Sequence, residues 1–325
     1  MKILISTPTG IIGRQLVPEL LAPEFFVRVI TRDPNRIPED IRDQVDIVNG
    51  SASDSNVLRE ALQGIDALFW SAPDQTQESN TRNHYERFVQ AASDAVSKAG
   101  TSRVVAISTS PASAARAIED ILNESGAAIR HLRCGWFMEN LLQQVASISG
   151  HGLISFPLLP YVPIPMIAEK DIADVALRFL VRTDWSGIEA LSVKGADAIS
   201  FYQTAALIEC IWGKPVRYEE IPASKYRQTQ IASGVSADSA EAMLEMFSTF
   251  AGRSGRAEPA SVRATTPTTL TAWLRSELLP LLKQFDLQKK INGASAQISQ
   301  RKTSNKGCRR EVPPERPQFF ESLLT

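Results

Sequence analysis

The chain has 325 residues, 43% hydrophobic and 22% charged, with a formal net charge of −1. Those totals suit one large globular domain or two smaller ones and leave no global basic field to attract nucleic acid. No apolar run could span a bilayer, no basic leader with a cleavage site opens the chain, and the 3 cysteines (Cys134, Cys210, Cys308) and 3 histidines show no disulfide or metal spacing, so a cytoplasmic setting without metal or membrane is expected.

Ile3-Leu4-Ile5 is a short β-branched run, followed by Thr7-Pro8-Thr9-Gly10-Ile11-Ile12-Gly13 and then apolar residues at helical spacing. Strand, glycine turn and helix in that order form a dinucleotide-binding crossover, because a helix N-terminus offers unpaired N–H groups and a positive dipole end to a pyrophosphate. Thr7, Thr9, Gly10, Ile11, Ile12 and Gly13 are the candidate contacts, with Thr7 where the first glycine of the usual three would stand. The alternative is an ordinary turn with two incidental glycines.

Val27–Thr31 reads as the second strand, and Arg32 follows it. That strand end lies beside the adenosine ribose, where an arginine favours a 2′-phosphate and an acid favours the 2′-hydroxyl. Arg32 therefore points to NADP, with a solvated loop charge as the alternative and Asp33 arguing against it. Val45–Val48 is the third strand, Ser55–Leu62 a helix and Ala67–Trp70 the fourth strand, ending at Ser71-Ala72-Pro73 on the carboxyl edge where ligands collect. A helix over Asn83–Lys98, a strand over Val104–Ile107 ending at Ser108 (a further candidate cofactor contact), a helix over Ala112–Glu124 and a strand over Ile129–Leu132 complete the pattern. Short apolar strands alternating with amphipathic helices predict an α/β fold with a doubly wound parallel sheet.

Beyond Gly135 the rhythm changes. Leu153–Met166 carries 4 prolines and is expected to be a stiff loop over a pocket. Asp171 is expected to cap a helix ending near Val181, Ser200 and Gln203 make a capping box, and Val216–Ile221 is a strand. Helices follow over Ala237–Phe250 and Thr268–Leu279, the latter with Pro267 at its start. Residues 1–155 thus form a nucleotide domain and 156–287 a small, mostly helical lobe, with the chain returning to the sheet near 188–195. The basic, apolar-poor stretch 288–325 is expected to be a disordered tail. Cys134, Trp136, Phe137 and Met138 follow the sixth strand and are candidate walls of a substrate pocket, core packing being the alternative. His84 reads as a helix residue rather than a base.

In order and spacing, TPTGIIG, Gly64-Ile65-Asp66-Ala67, Gly126, LRCGWFMENLL, EKDIADVALRFL, Ile199-Ser200 and IWGKPVRYEEIP resemble the NmrA-like proteins, atypical members of the extended short-chain dehydrogenase/reductase superfamily. The resemblance covers Met1 to about Leu282. It implies a Rossmann-type domain binding NAD(P) and a C-terminal lobe shaping a cleft, in proteins that are either reductases or nucleotide-binding regulators. Related proteins commonly carry Gly at the position of Thr7 and an acid near Ser51. Measured from Glu119, the Tyr-x-x-x-Lys positions of typical relatives hold Ala112 and Arg116. Ala112 can neither give nor take a proton, and Arg116 keeps only the positive charge. The expectation is an NADPH-dependent (NADP, with NAD as second choice) oxidoreductase for a quinone-like or other activated small molecule, with Arg116 the candidate catalytic residue and also a candidate cofactor contact, and a monomer or homodimer as the assembly. The alternative is a non-catalytic redox sensor that binds a partner protein.

Overall fold

The computed structural model describes residues 1–71, 81–109, 113–252, 263–289 and 291. Ala72 and Pro73, Ala112, and the tail over 292–325 lie outside the described residues. Six strands and their crossovers come first: β1 (Lys2–Ile5), α1 (Gly13–Glu19), β2 (Phe26–Thr31), α2 (Glu39–Arg42), β3 (Asp46–Asn49), α3 (Ser55–Ala61), β4 (Ala67–Trp70), α4 (Thr81–Ala99), β5 (Arg103–Thr109), α5 (Ser113–Asn123) and β6 (Ala128–Cys134). The second half holds β7 (Trp136–Phe137), α6 (Val145–His151), β8 (Leu153–Phe156), β9 (Ile164–Ile167), α7 (Glu169–Val181), β10 (Ile188–Lys194) and β11 (Ala198–Ile199). It continues through α8 (Phe201–Trp212), β12 (Arg217–Glu220), α9 (Ala223–Ala232), α10 (Ala237–Phe250), β13 (Arg263–Thr265) and α11 (Leu270–Trp273).

The central sheet runs β13-β10-β6-β5-β4-β1-β2-β3, and every pairing in it is parallel. It amounts to seven strands plus the three-residue edge strand β13, in doubly wound order with the reversal between β1 and β4. A parallel sheet must be covered on both faces, which is why Ile3, Leu4 and Ile5 are all fully buried. On one face Leu16 and Val17 of α1 and its cap residues Ile12 and Leu20 pack with Ile172, Ala173 and Ala176 of α7. On the other, Leu58, Phe88, Val89, Ala92, Val96 and Leu122 come from α3, α4 and α5. Each buried Val, Ile, Leu or Phe among them contributes about 1.5–3 kcal/mol.

Gly13 permits the tight join of β1 to α1, since a Cβ there would collide with the Thr7 carbonyl. Gly135 and Gly195 do the same for β9, whose Pro165 and Met166 carbonyls a side chain at either position would strike. Residues Met1–Leu282 form one compact unit, and β10 and β13 bring strands into the sheet from beyond residue 155.

Several local expectations need correction. The proline-rich stretch contains two short strands rather than a loop alone. β8 pairs with β12, and β9 lies between β7 and β11, all outside the central sheet. Pro165 is tolerated because β7 pairs only with Met166 and Ile167. Asp171 does not cap α7, where Ala168 holds the cap position without a side-chain bond. Its buried carboxylate accepts instead from Thr268 N at 3.0 Å and Thr268 Oγ1 at 2.7 Å. The last helix starts at Leu270, capped by Thr269, so Pro267 precedes it. The Ser200–Gln203 capping box and the Ala237–Phe250 helix are found as read. Helix α9, which lacks an apolar stripe and buries only Tyr226, had no signal to read.

Candidate functional site

Where the strand order reverses, the carboxyl ends of β1 and β4 are fastened together. Ser6 N donates to Phe69 O at 3.1 Å, Ser6 Oγ to Ser71 O at 3.3 Å, and Ser71 N back to Ser6 Oγ at 3.2 Å. The turn over Thr7–Gly13 opens from this strap. It is closed by Gly10 N on Thr7 O at 3.1 Å and by Arg14 N on Gly10 O at 3.0 Å. Ile12 stands at the cap position of α1 with its side chain in the core, and no side chain caps the helix. Thr7, Thr9 and Gly10 are partly buried and Ile11 is 46% exposed.

Arg32, directly after β2, is exposed. Asp33 is turned away by local structure: its carboxylate accepts from Asn35 N at 3.0 Å to cap a short 3-10 turn. Across the reversal, Ser71 directly follows β4, and Ser108 is the last residue but one of β5.

Ser108 belongs to a polar group that the sequence reading missed. Strand alternation puts it on the face of Val104 and Ala106, toward α5. Its hydroxyl donates to Glu119 Oε1 at 2.6 Å. Arg133, the register partner of Ser108 on β6, donates to both oxygens of the same carboxylate, at 3.0 and 2.6 Å. Burial pushes the Glu119 carboxyl up, but the bonds from Arg133 and Ser108 and the nearby His131 and Arg133 charges outweigh it, holding the pKa below its ordinary value. Arg116 lies one turn before Glu119 on α5 and is partly buried. His131 Nε2 meets Asn123 Oδ1 at 2.8 Å, and burial lowers its pKa.

A second polar group sits on the opposite face. Arg14 of α1 reaches Glu169 of α7 at 3.4 Å. Glu139, in the 3-10 segment after β7, accepts from Glu169 N at 3.1 Å and from Trp273 Nε1 at 3.0 Å. Burial raises the carboxyl pKa of both glutamates, that of Glu169 to about 7 with the Glu139 charge adding to the rise and Arg14 opposing it. Arg14, Glu139 and Glu169 are placed together by α1 and α7 packing side by side, a contact no local sequence pattern announces.

The four pocket candidates are placed unevenly. Cys134 ends β6 buried, its Sγ donating to Leu132 O at 3.4 Å, and burial drives the thiol pKa far up. Trp136 is 2% exposed and packs edge-on against Phe156 and Phe201 in the aromatic interior of the lobe. Met138 is likewise buried, and Phe137 alone is partly exposed. Among the described residues no cluster of three or more His, Cys, Asp or Glu could hold a metal, and no helix is long and apolar enough to cross a membrane.

The profile of the NmrA-like family matches residues 1–274. The chain belongs to the NmrA-like family. This NmrA-like protein is 29% identical over 241 residues (71% of this chain, 80% of the relative) to a (4-alkanoyl-5-oxo-2,5-dihydrofuran-3-yl)methyl phosphate reductase of Streptomyces griseus. It is 28% identical over 250 residues (75% and 86%) to an NAD(P)H azoreductase of Xenophilus azovorans. Its fold matches an NADPH-dependent quinone oxidoreductase from Escherichia coli, solved with NADPH, at a TM-score of 0.70 and 22% identity, covering 86% of this chain and 99% of the other.

Proposed function

We propose that this NmrA-like protein is an NADPH-dependent oxidoreductase for a quinone-like or other activated small molecule. The observation that carries the reading is the glycine turn at the β1–β4 reversal, where no side chain caps α1 and, with Arg14 N and Gln15 N bonded to Gly10 O and Ile12 O, the N–H groups of Ile11, Ile12 and Gly13 are the donors left for a ligand. Backbone donors at a helix start fit a pyrophosphate. Arg32 fits a 2′-phosphate through paired charge-assisted bonds, and one carboxylate oxygen of Asp33 is engaged in its own turn. Thr7, Thr9, Ile12, Ser71 and Ser108 border the same edge, as Ala72 and Pro73 do by sequence. Kinship to named reductases supports the same reading.

A bound dihydronicotinamide would supply the hydride. The chain's own residues hold and orient: the turn anchors phosphate, the Ser6–Ser71 strap fixes the reversal, and Arg116 steadies negative charge developing on the substrate. With Ala112 and Arg116 in place of a phenol and an ammonium, the protein offers no side-chain proton for a simple ketone, which is why an electrophile able to take its proton from water is the better substrate. Phe137 would border the pocket, with Cys134, Trp136 and Met138 backing it from the core.

The burial of Trp136 and Met138 favours a second reading, a nucleotide-binding sensor whose lobe is packed for rigidity rather than for a substrate. Steady-state NADPH oxidation against quinones, enones and imines separates the two. Turnover supports the reductase; no turnover, with unequal affinity for NADP⁺ and NADPH, supports the sensor. Arg32→Ala is expected to weaken NADPH by about 1.5–3 kcal/mol more than NADH. Titration giving equal losses would refute the 2′-phosphate assignment.

A further inference from the structure

Arg14 directly follows Gly13 in the first turn of α1, and side chains on a helix lean toward its N-terminus, so the guanidinium belongs to the same carboxyl edge of the sheet as the glycine turn. Helix α7 starts at that edge too, because it runs back to feed β10, which is parallel to β1. Among the described residues the Arg14 guanidinium makes one hydrogen bond, to Glu169 Oε2 at 3.4 Å, and its side chain is otherwise exposed. Glu169 is buried, and its surroundings give it little else. Glu139 accepts from Glu169 N and from Trp273 Nε1, and Glu139 Oε2 is buried without a hydrogen-bond partner. Glu277 adds a further negative charge beside Glu139. On α7 itself Lys170 is turned to Asp174 and Asp171 to Thr268, and Glu19 of α1 acts on Lys170. From β4, β5 and β6 this face offers apolar side chains and the Cys134 thiol, with Arg103 at the far, amino end of β5. Arg14 is thus the cation that reaches Glu169 among the described residues, through a single long contact.

We infer that Arg14 is a pyrophosphate-binding residue held in reserve by Glu169, and that dinucleotide binding passes its guanidinium from carboxylate to phosphate while Glu169 takes up one proton from solvent. The inference rests on the proposed dinucleotide reading. A phosphate offers a guanidinium two parallel bonds in place of one long contact. The carboxylate left behind would be buried beside Glu139 with no cation, a state costly enough that the group neutralises instead. With Arg14 in place, burial and the Glu139 charge already hold the Glu169 pKa at about 7, and withdrawal of Arg14 raises it further. The complex therefore keeps a proton that the free protein loses as pH rises through 7, and affinity falls over the same interval.

The test is calorimetric titration with NADPH and with adenosine 2′-monophosphate, which lacks the pyrophosphate, in two buffers of unequal ionisation enthalpy. The range is about pH 7 to 8.5, above the titration of the 2′-phosphate itself near about pH 6. Wild type is expected to take up close to one proton per NADPH and to lose about tenfold in affinity across the range, with neither effect for adenosine 2′-monophosphate. Glu169→Gln, which cannot ionise, should bind NADPH at every pH at least as tightly as wild type does at pH 7, without uptake. Arg14→Ala should weaken NADPH about tenfold at pH 7, flatten the pH profile and leave adenosine 2′-monophosphate unchanged, and Arg14→Lys should recover part of the loss. Uptake that persists in Glu169→Gln, NADPH affinity unmoved by Arg14→Ala, or a flat wild-type profile would each overturn the exchange and leave the dinucleotide reading standing. Wild-type protein binding neither ligand overturns that reading itself, and the inference falls with it.

Discussion

Glu119 and Glu169 are buried to the same degree, each with 6% of its side chain exposed, yet their carboxyls shift in opposite directions. Glu119, on the α5 face, meets a largely buried arginine in two-pronged geometry and a serine hydroxyl. Glu169, on the α1–α7 face, has one contact at 3.4 Å from an arginine whose side chain is 60% exposed, and a second carboxyl close by. Desolvation is common to both, so the number and rigidity of the donors decide the charge state. One face of the sheet keeps a permanent anion, and the other keeps a carboxyl that changes state near pH 7.

The largest effect should come from removing the donor that makes Glu119 an anion. Arg133→Met leaves its carboxylate buried beside an apolar group and is expected to cost about 3–5 kcal/mol, measured by urea unfolding at pH 7. A loss below 1 kcal/mol would show that solvent reaches Glu119 and would dissolve the contrast. Next comes the opposite face. Because Glu169 has a folded pKa of about 7 against an ordinary 4.5, its proton-linked stability is complete below pH 4.5 and is lost as pH rises through 7. Glu169→Gln should remove that decline, gaining roughly 2–3 kcal/mol on wild type between pH 4.5 and pH 8 in urea titrations. Glu119 runs the other way: its depressed pKa gives stability present above the unfolded value and lost as pH falls through the folded one. Parallel pH profiles for wild type and Glu169→Gln would place Glu169 in water. The smallest effect belongs to Arg14→Ala, expected within about 1 kcal/mol at pH 7 because the exposed arginine is weakly held. A loss comparable to that of Arg133→Met would mean the two ion pairs are equivalent after all.

The first six strands were legible because each is short, apolar and bounded by glycine, proline or serine, as a doubly covered parallel strand must be. The turn over Thr7–Gly13 was legible for the same local reason. The paired carboxyls were not. The first turn of α7 reads as acidic residues favoured by the helix dipole, and nothing near Glu169 in sequence tells that Glu139, 30 residues earlier, will donate its charge to the same pocket of space. Likewise Arg133 sits in a strand that reads as core, and its meeting with Glu119 depends on β5–β6 register and on the facing of α5. Asp171 looked like a cap because aspartate before an apolar helix usually is one, whereas its partner Thr268 lies 97 residues away. Trp136 and Met138 looked like cleft walls because they follow the sixth strand, and the aromatic cluster that absorbs Trp136 assembles from Phe156 and Phe201 much later in the chain.

The placement of β10 beside β6 also governs how the molecule is made. Synthesis runs from the N-terminus at about 5–20 residues per second. The roughly sixty residues that separate β6 from the end of β10 therefore take about 3–12 s to appear. During that interval the outer edge of β6 has no neighbour and offers its backbone to any passing strand. Arg130, His131 and Arg133 occupy that strand, and while the edge is bare their side chains act as gatekeepers against pairing with other nascent chains. The same arginines that end up bracing the finished sheet thus guard it while it is still being built.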